Sequence, residues 1–370
     1  MATCPAIGSD SMFFVMEREI SRESSLDPTM DLAAMTLDPH TPIISSSTEK
    51  CGGLWRVANL YSNVFLSASY DHKVRIHNLD KTSHAGFRQR TQTLAGHTKA
   101  ALCLALHPVS GFLSGSYDNQ LRHWDVKGTL LRTIEDKRGQ GIYSIAFLSD
   151  NIVATGACHN QTESESPDHQ IKLWNFSTNR IFRVWNAHFG GISALNLVAP
   201  ERLVSASGDS RVRVWHTETQ ELLHDFRHHT DYVYGLARIT DYSLVSGGKD
   251  KTIQLFDLET KTVRSFQDRS SFAHESSVYD LQTIDPQTFV SASRDGSAKI
   301  WDSRTPSVIR KYDVDDGFVY SATSSSDTNL IAVGTSGRQT TNTKSSAAGA
   351  KHTSGKIKSS GSLHIIDRRV

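Results

Sequence analysis

A fixed spacing between histidine and aspartate constrains the fold of this chain more than any other feature of its sequence. An aspartate follows a histidine by 21 residues four times, and an aromatic residue comes six positions later. The four sets are His97–Asp118–Trp124, His188–Asp209–Trp215, His229–Asp250–Phe256 and His274–Asp295–Trp301. A spacing that recurs in this way indicates a repeated structural unit of roughly 40 to 45 residues.

Each repeat has the same local pattern. A strand of small residues leads to the aspartate in a tight turn, and a second strand ends at the aromatic position, as in SASRDGSAKIW from Ser291. Three weaker copies place Asp71 before His77, Asp168 before Trp174 and Ser360 before Ile366 at the same six-residue interval. The sequence therefore predicts seven units.

The stretches LAGH, SGSYD and HWD in the second unit, and FAH, SASRD and IWD in the sixth, resemble the WD-repeat family of β-propellers over about residues 54–370. The resemblance implies an all-β fold with seven four-stranded blades around a central axis. The residues point the same way, because short alternating strands such as VRVW and IQLF cannot bury both faces without neighbouring blades.

The last unit ends at its third strand, residues 365–367, so a strand from the N-terminal segment is expected to close the ring and cover the open edge. We predict residues 31–37 for this strand, because TLDPH at 36–40 parallels TLAGH at 93–97, with residues 12–20 as the alternative. The expected organisation is a flexible tail, 1–30, and one propeller, 31–370, with insertions at 159–170 and 337–361.

His274, Ser293 and Asp295 have the residue types of a hydrolase triad, but an active site is needed once and this set recurs in several units. No Gly-x-Ser-x-Gly motif is present. The resemblance instead implies structural hydrogen-bond networks, and the chain is expected to be no enzyme. The predicted network residues are His97, Ser116, Asp118, Trp124, His188, Ser207, Asp209, Trp215, His274, Ser293, Asp295 and Trp301.

Several units depart from this pattern. Lys50 and His77 occupy the histidine and tryptophan positions of the first unit, and Arg138 is the nearest match to the histidine of the third. Gly248 and Phe256 stand at the serine and tryptophan positions of the fifth. These units are expected to have weaker networks.

The histidine and aspartate turns lie on one face of such a propeller, called the upper face here, and this surface of the family commonly binds proteins and peptides. Large aromatic and basic residues recur beside these turns and on the first strand of most units, and such residues are frequent in binding hot spots. Packing between blades is the alternative explanation. The predicted partner-binding residues are Trp55, Tyr70, Tyr117, Tyr143, Tyr232, Tyr234, Lys249, Tyr279, Arg294, Phe318 and Tyr320.

The segment VSASRDGSAKIWDSR, residues 290–304, looks like the box of WD-repeat substrate receptors of cullin-RING ubiquitin ligases. The resemblance implies that Arg304, two residues after Asp302, docks on the ligase adaptor from the opposite, lower face. Lys127 and Arg369 occupy similar positions in other units. The alternative is a local ion pair within a turn. An interaction scaffold is thus the main functional hypothesis, and a ligase substrate receptor is the second.

Composition narrows the remaining functions. Forty basic and 39 acidic residues give a net charge of +1, which disfavours nucleic acid as a partner. The basic insertion at 337–361 is expected to be a solvated linker, because it lacks aromatic residues for base stacking. Cys4, Cys51, Cys103 and Cys158 show no CxxC spacing, and Cys158, His159 and His169 are too irregular for a metal site. Neither a cofactor, nor a targeting peptide, nor a membrane segment is indicated, so cytosol or nucleus is expected.

Overall fold

The computed structural model describes residues 43–46, 53–81, 87–137, 141–157, 169–268, 272–314, 317–325, 327–337 and 361–368. For 43–46 and for positions 81 and 87, only the backbone is described. The chain divides between Asp38 and Pro39, later than the predicted boundary at residue 30, and all described residues belong to the second part.

The described residues form 28 strands and no helix. Seven inner strands line a central axis: β2 Leu54–Tyr61, β6 Ala101–Leu106, β10 Ile142–Ser149, β14 Ile192–Ala199, β18 Val233–Thr240, β22 Val278–Asp285 and β26 Phe318–Ser324. The second strands are β3 Val64–Ser69, β7 Phe112–Ser116, β11 Ile152–Ala157, β15 Arg202–Ser207, β19 Ser243–Gly248, β23 Thr288–Ser293 and β27 Leu330–Ser336.

The third strands are β4 Val74–Lys81, β8 Gln120–Trp124, β12 Gln170–Asn175, β16 Val212–His216, β20 Ile253–Asp257, β24 Ser297–Asp302 and β28 Leu363–Asp367. The outer strands are β1 Ile43–Ser46, β5 Phe87–Leu94, β9 Leu130–Glu135, β13 Arg180–Asn186, β17 Leu222–Phe226, β21 Val263–Phe266 and β25 Val308–Asp313. They pair as seven antiparallel four-stranded sheets. This arrangement confirms the predicted seven-bladed all-β propeller.

The aspartate of the repeat shapes the hairpin between the second and third strands. The residue after it has a positive φ angle, for example 65° at Asn119 and 68° at Lys251, where a glycine, Gly296, stands in the sixth blade. The Asp118 carboxylate accepts the backbone N–H of Gln120 at 3.0 Å, which holds the turn closed. The aspartate therefore recurs because the five blades in which this hairpin is described share the same turn.

The core lies between blades, where large side chains of the second and third strands stack. Phe112 packs against Trp124 with ring centroids 6.5 Å apart, and Phe289 packs against Trp301 at 6.4 Å. Both phenylalanines are fully buried. Burial of each such ring stabilises the fold by about 2–3 kcal/mol. Because the position of this ring recurs with the repeat, several interfaces between blades contain one such buried ring.

The strand that closes the ring is β1, and its assignment to residues 31–37 was wrong. β1 pairs with β28 through Ile43↔Ile366 and Ser46↔His364, so an N-terminal strand does complete the seventh blade. The reason is connector length: six residues join β5 to β6 and seven join β1 to β2, whereas a strand at 31–37 would leave sixteen. Both predicted segments, 12–20 and 31–37, lie outside the described residues.

A recurrent contact ties five of the seven outer strands to the following blade. In each case a side chain of the outer strand donates to a backbone carbonyl in the lower loop of the next blade. This outer-strand residue pairs in register with the third-strand residue that precedes the tryptophan position. The bonds are Gln92 Nε2 to Lys127 O at 3.0 Å, Arg132 Nη1 to Phe176 O, Arg183 Nη1 to Thr217 O at 2.8 Å, Arg264 Nη1 to Arg304 O at 2.9 Å and Arg310 Nη1 to Arg368 O at 2.8 Å. These interblade ties fix the lower loops in place.

Candidate functional site

The upper end of every inner strand carries a β-bulge at the same position. The register shifts between Leu54 and Arg56, between Ile142 and Ser144, and correspondingly in the other five blades. A bulge changes the direction in which a side chain points. The bulged residues are Trp55, Leu102, Tyr143, Ser193, Tyr234, Tyr279 and Tyr320, so five aromatic side chains meet at the mouth of the central channel.

These aromatic side chains form one continuous surface, the aromatic cluster. Trp55 lies at its centre, with ring centroids 5.9 Å from Tyr143, 6.5 Å from Tyr279 and 5.1 Å from Tyr320. Tyr279 stacks on Tyr320 at 4.6 Å and lies 5.1 Å from Tyr234. Residues that are distant in sequence thus close the channel mouth together.

Further predicted residues extend the cluster outward. Tyr70 contacts Trp55 at 5.7 Å, Tyr117 contacts Tyr143 at 6.3 Å, and Tyr232 stacks on Tyr234 at 6.2 Å. Tyr70 and Tyr232 are 48% and 47% exposed, so part of this surface is open to a partner. Lys249 lies over the ring of Tyr232, and Arg294 lies over Phe318. All eleven predicted upper-face residues therefore lie on or beside one surface.

Two spaces adjoin the cluster. Beneath it, between Trp55, Tyr143, Ser193 and the other channel residues, is a cavity of about 10 Å³, which has room for about one water molecule. Beside it, where the seventh blade meets the first, an open cleft of about 210 Å³ is lined by Gly53, Trp55, Tyr70, Tyr320 and Ser336. The cleft could take one side chain of a partner.

The hydroxyls of Tyr234 and Tyr320 stay protonated near neutral pH. Burial raises the pKa of Tyr234 and of Tyr320 to about 12, although the charge of Arg294 acts in the opposite direction on both. The opposing effect also means that the Arg294 guanidinium lies near both rings. The surface consequently combines aromatic faces, neutral hydroxyls and a fixed cation.

An ion pair beneath the cluster was not predicted from the sequence. Arg56 of the first blade donates to Asp280 of the sixth, and Ser321 of the seventh donates to the other carboxylate oxygen. The Ser321 Oγ accepts the Val57 N–H at 3.0 Å. Asp280 is 1% exposed, and burial raises its pKa against the attraction of Arg56. This inner latch joins the first, sixth and seventh blades across the channel.

The structural networks of the repeat have the predicted histidines, aspartates and tryptophans but a different serine. In the second blade, Trp124 Nε1 donates to Ser114 Oγ at 2.9 Å. Ser114 Oγ lies 2.8 Å from His97 Nε2, and His97 Nδ1 lies 2.9 Å from Asp118. The same chain runs through Ser205 and Ser291 in the fourth and sixth blades.

The assignment of Ser116, Ser207 and Ser293 to these networks was therefore wrong by two residues. Trp124 lies opposite Phe112, so its indole reaches the diagonal neighbour, Ser114, on the adjacent strand. Ser116 lies at the strand end, where its hydroxyl donates to the Lys99 carbonyl and accepts the Asp118 N–H, both at 3.1 Å. It stabilises the turn instead.

The weaker blades replace single members of the network. The fifth blade keeps a serine, because Ser246 Oγ lies 2.6 Å from His229 Nε2, and only the tryptophan is lost, to Phe256. His77 of the first blade contacts Ser67 Oγ at 2.8 Å, and Trp174 of the third donates to Thr155 at 2.8 Å. Lys50, Arg138 and Asp168 lie outside the described residues.

These networks predict that the propeller loses stability in acid. Burial lowers the pKa of His188 and of His274 below 6.5. Burial would raise the pKa of Asp209, but its bonds with His188 and the Phe189 N–H hold it at about 2. Because the unfolded chain binds more protons in both ranges, the free energy of unfolding should fall below about pH 6.5, and again below about pH 4.

Guanidinium unfolding followed by tryptophan fluorescence at several pH values would measure this dependence. The raised pKa of Asp280 acts in the opposite direction, but it is one group against many. An unfolding midpoint that stays constant or rises on acidification from pH 7 to pH 5 would contradict the prediction.

On the lower face, the Arg304 guanidinium is bound by its neighbour. Arg304 Nε and Nη2 donate to the two Asp302 carboxylate oxygens at 3.0 and 2.7 Å, and the Asp302 carboxylate also accepts the Arg304 N–H. Asp125 makes the same bond to the N–H of Lys127 in the second blade. Asp302 thus shapes its turn, while the Arg304 side chain stays 64% exposed. Arg369 lies outside the described residues.

No group of three histidine, cysteine, aspartate or glutamate side chains that could hold a metal ion occurs in the described part of the chain. His169 is described, and its carbonyl accepts the Ala187 N–H at 3.1 Å, whereas Cys158 and His159 are outside the described ranges. Within those ranges there is also no helix long and apolar enough to cross a membrane.

Comparison with known proteins agrees with this architecture. The family described as "WD domain, G-beta repeat" matches residues 88–125, 179–216, 220–257 and 263–302. Each matched segment runs from an outer strand through the third strand of the next blade. The matches fall on the blades with the most complete networks.

Two curated relatives match short segments. Ribosome biogenesis protein YTM1 of Ajellomyces capsulatus is 52% identical over 56 residues, 14% of this chain and 11% of that protein. YTM1 of Coccidioides immitis is 44% identical over 59 residues, 15% of this chain and 12% of that protein. The chain thus spans about a tenth of the length of these relatives.

A solved structure, the WD40 β-propeller domain of Doa1, is similar with a TM-score of 0.68 over 88% of this chain and 96% of that chain, at 18% identity. At that identity, the similarity concerns the fold. Seven four-stranded blades, the recurrent histidine–aspartate networks and four matched repeats lead to one conclusion: this chain is a WD-repeat β-propeller protein.

Proposed function

We propose that this protein is a non-enzymatic scaffold that binds a peptide or protein segment on the aromatic cluster of its upper face. The single observation that supports this most is the convergence of five bulged aromatic residues from five blades at one channel mouth. Aromatic side chains give a large contact area for little loss of entropy, and they are enriched among residues that dominate binding.

A scaffold role also agrees with the state of the serine hydroxyls. Ser291 accepts the Trp301 indole N–H and bonds His274, and its side chain is fully buried. A substrate could not reach such a hydroxyl without unfolding the blade. A single serine labelled by a fluorophosphonate probe would contradict a non-enzymatic role.

The relatives favour a place in a larger assembly. Two proteins named for ribosome biogenesis share a short segment with this chain, and the propeller offers two separate faces and a rim. We therefore propose that a second partner occupies the lower face or the rim, with a cytosolic or nuclear location.

The double substitution of Tyr234→Ala with Tyr279→Ala tests the upper face. We expect it to reduce recovery of at least one copurifying partner about tenfold or more, because each buried aromatic hot spot contributes about 2 kcal/mol. Quantitative affinity purification with mass spectrometry from native cells measures this. Tyr242→Ala is the matched control, since Tyr242 is 48% exposed in a lower loop.

Thermal melting shows that each variant is folded. Unchanged recovery of every partner by a folded double variant would contradict the upper-face proposal. Equal loss in the Tyr242→Ala control would assign the contact to the lower face instead.

The second candidate function is that of a substrate receptor for a cullin-RING ubiquitin ligase, with Arg304 as the docking residue. The observation in its favour is that the Arg304 guanidinium is exposed yet held in one orientation by Asp302. In the same purification, Arg304→Glu should then remove cullin and adaptor subunits selectively. Lys127→Glu, at the equivalent position of the second blade, is the control. Absence of ligase subunits from the wild-type sample would reject this candidate.

A further inference from the structure

Among the described residues, the upper face has more exposed basic side chains without an ion pair than exposed carboxylates without one. Five exposed basic side chains there make no ion pair among the described residues: Lys73, Lys99, Lys137, Lys251 and Arg294. In the same described ranges, two exposed carboxylates of that face also make no ion pair, Glu135 and Glu275. Lys249 is satisfied by Asp231 at 3.1 Å. The described part of this face therefore carries a surplus of positive charge, which would attract an anionic partner.

Two of these cations lie against aromatic rings of the upper face. The Arg294 guanidinium lies 4.9 Å from the centre of the Phe318 ring, and the Lys251 Nζ lies 5.8 Å from that of Phe272. Contact with an aromatic face restricts a cation without neutralising it. The Lys251 backbone is fixed too, since its carbonyl accepts the His274 N–H at 3.2 Å. Both charges are thus positioned before any partner arrives.

The neighbouring groups are suited to the same kind of ligand. The hydroxyls of Tyr234 and Tyr320 are donors near neutral pH, and carboxylates accept such bonds strongly. The cleft of about 210 Å³ between the seventh and first blades is lined by Trp55, Tyr70 and Tyr320 with Gly53 and Ser336, and none of these described residues carries a charge. It is large enough for one apolar or aromatic side chain and would leave an ionic one unpaired.

We propose that the upper face binds a linear acidic peptide, with Asp or Glu carboxylates on Arg294 and Lys251 and one apolar or aromatic anchor in the Trp55–Tyr70–Tyr320 cleft. This inference rests on the proposed upper-face function and adds the chemistry of its partner. The surface is polarised: the anchor cleft lies at the seam of the seventh and first blades, and the positioned cations lie on the fifth and sixth. Such a surface fixes the direction of the bound segment.

Selection from a display library of random short peptides tests this proposal with the full chain. The baits are the wild type, a charge-reversed variant with Lys251→Glu and Arg294→Glu, the Tyr234→Ala and Tyr279→Ala variant, and a lower-face control, Lys127→Glu. We expect the wild type and the control to enrich acidic peptides that carry one Leu, Phe or Trp. Fluorescence anisotropy with an enriched peptide should show that the affinity falls about tenfold or more, both in the charge-reversed variant and at high salt.

The outcomes separate this inference from the proposed function. Enriched peptides that are neutral or basic, yet lost in the tyrosine variant, would leave the upper face as a binding site and overturn its acidic specificity. Enrichment that is the same for all four baits would overturn both. Binding of a labelled oligouridine that charge reversal abolishes, without any enriched acidic peptide, would assign the cations to nucleic acid and reject the peptide proposal.

Discussion

Replacing Asp280 with alanine is expected to lower the free energy of unfolding by about 3–5 kcal/mol, because the change leaves the Arg56 guanidinium, whose side chain is only 16% exposed, without its carboxylate. Asp280 is 1% exposed and also accepts the Ser321 hydroxyl. Its loss therefore breaks contacts among three blades at once. Guanidinium unfolding monitored by circular dichroism would measure the change.

Two comparisons make this result specific. Asp231→Ala removes an exposed carboxylate paired with Lys249 and should cost less than about 1 kcal/mol. Adding Arg56→Met to Asp280→Ala removes the stranded charge, so the double variant should be more stable than Asp280→Ala alone. An Asp280→Ala protein with the wild-type unfolding midpoint would show that the inner latch contributes no stability.

Deletion of residues 1–46 is expected to produce a protein that unfolds at lower temperature or associates with itself. The deletion removes β1 and leaves the outer edge of β28 unpaired, and unpaired strand edges recruit other chains. Size-exclusion chromatography with light scattering, together with thermal melting, measures both effects. A monomer that melts like the full chain would refute the role of β1.

The matched control is deletion of residues 1–38, which keeps β1 and should behave like the full chain. This control also distinguishes β1 from the segment that the sequence favoured, residues 31–37. If the shorter deletion already caused association, the earlier segment would contribute to closure.

The propeller could be predicted from the sequence because its determinants are local and recur. His274, Asp295 and Trp301 occupy one blade and the loop that enters it, so their spacing is the same wherever the geometry is the same. The five aromatic residues at the channel mouth could be recognised for a similar reason, because each follows the first aliphatic residue of an inner strand. The bulge that directs them to the channel leaves no separate mark in the sequence.

Two kinds of feature were missed from the sequence. One is the choice between two serines on the same strand, and the other is a contact between residues of different blades. Ser114 and Ser116 share a strand face, and strand register decides which one meets the indole. The latch joins residues 224 positions apart. One signal could have revealed it: Arg56 and Asp280 carry opposite charges at the same inner-strand position, where the other blades have Cys103, Ser144, Ala194, Gly235 and Ser321.

The interblade ties all connect a blade to the next blade in the same direction around the ring. Each reaches from an outer strand to the lower loop of the next blade, so tension on a lower loop is transmitted to the blade before it, as through Arg264 to the loop that carries Arg304. His224 occupies the equivalent position in the fourth blade and makes no such bond in the described structure. Among the six seams whose outer-strand side chains are described, the seam between the fourth and fifth blades is therefore the one that lacks this tie, and we expect force applied by a lower-face partner to separate these two blades before the other five pairs.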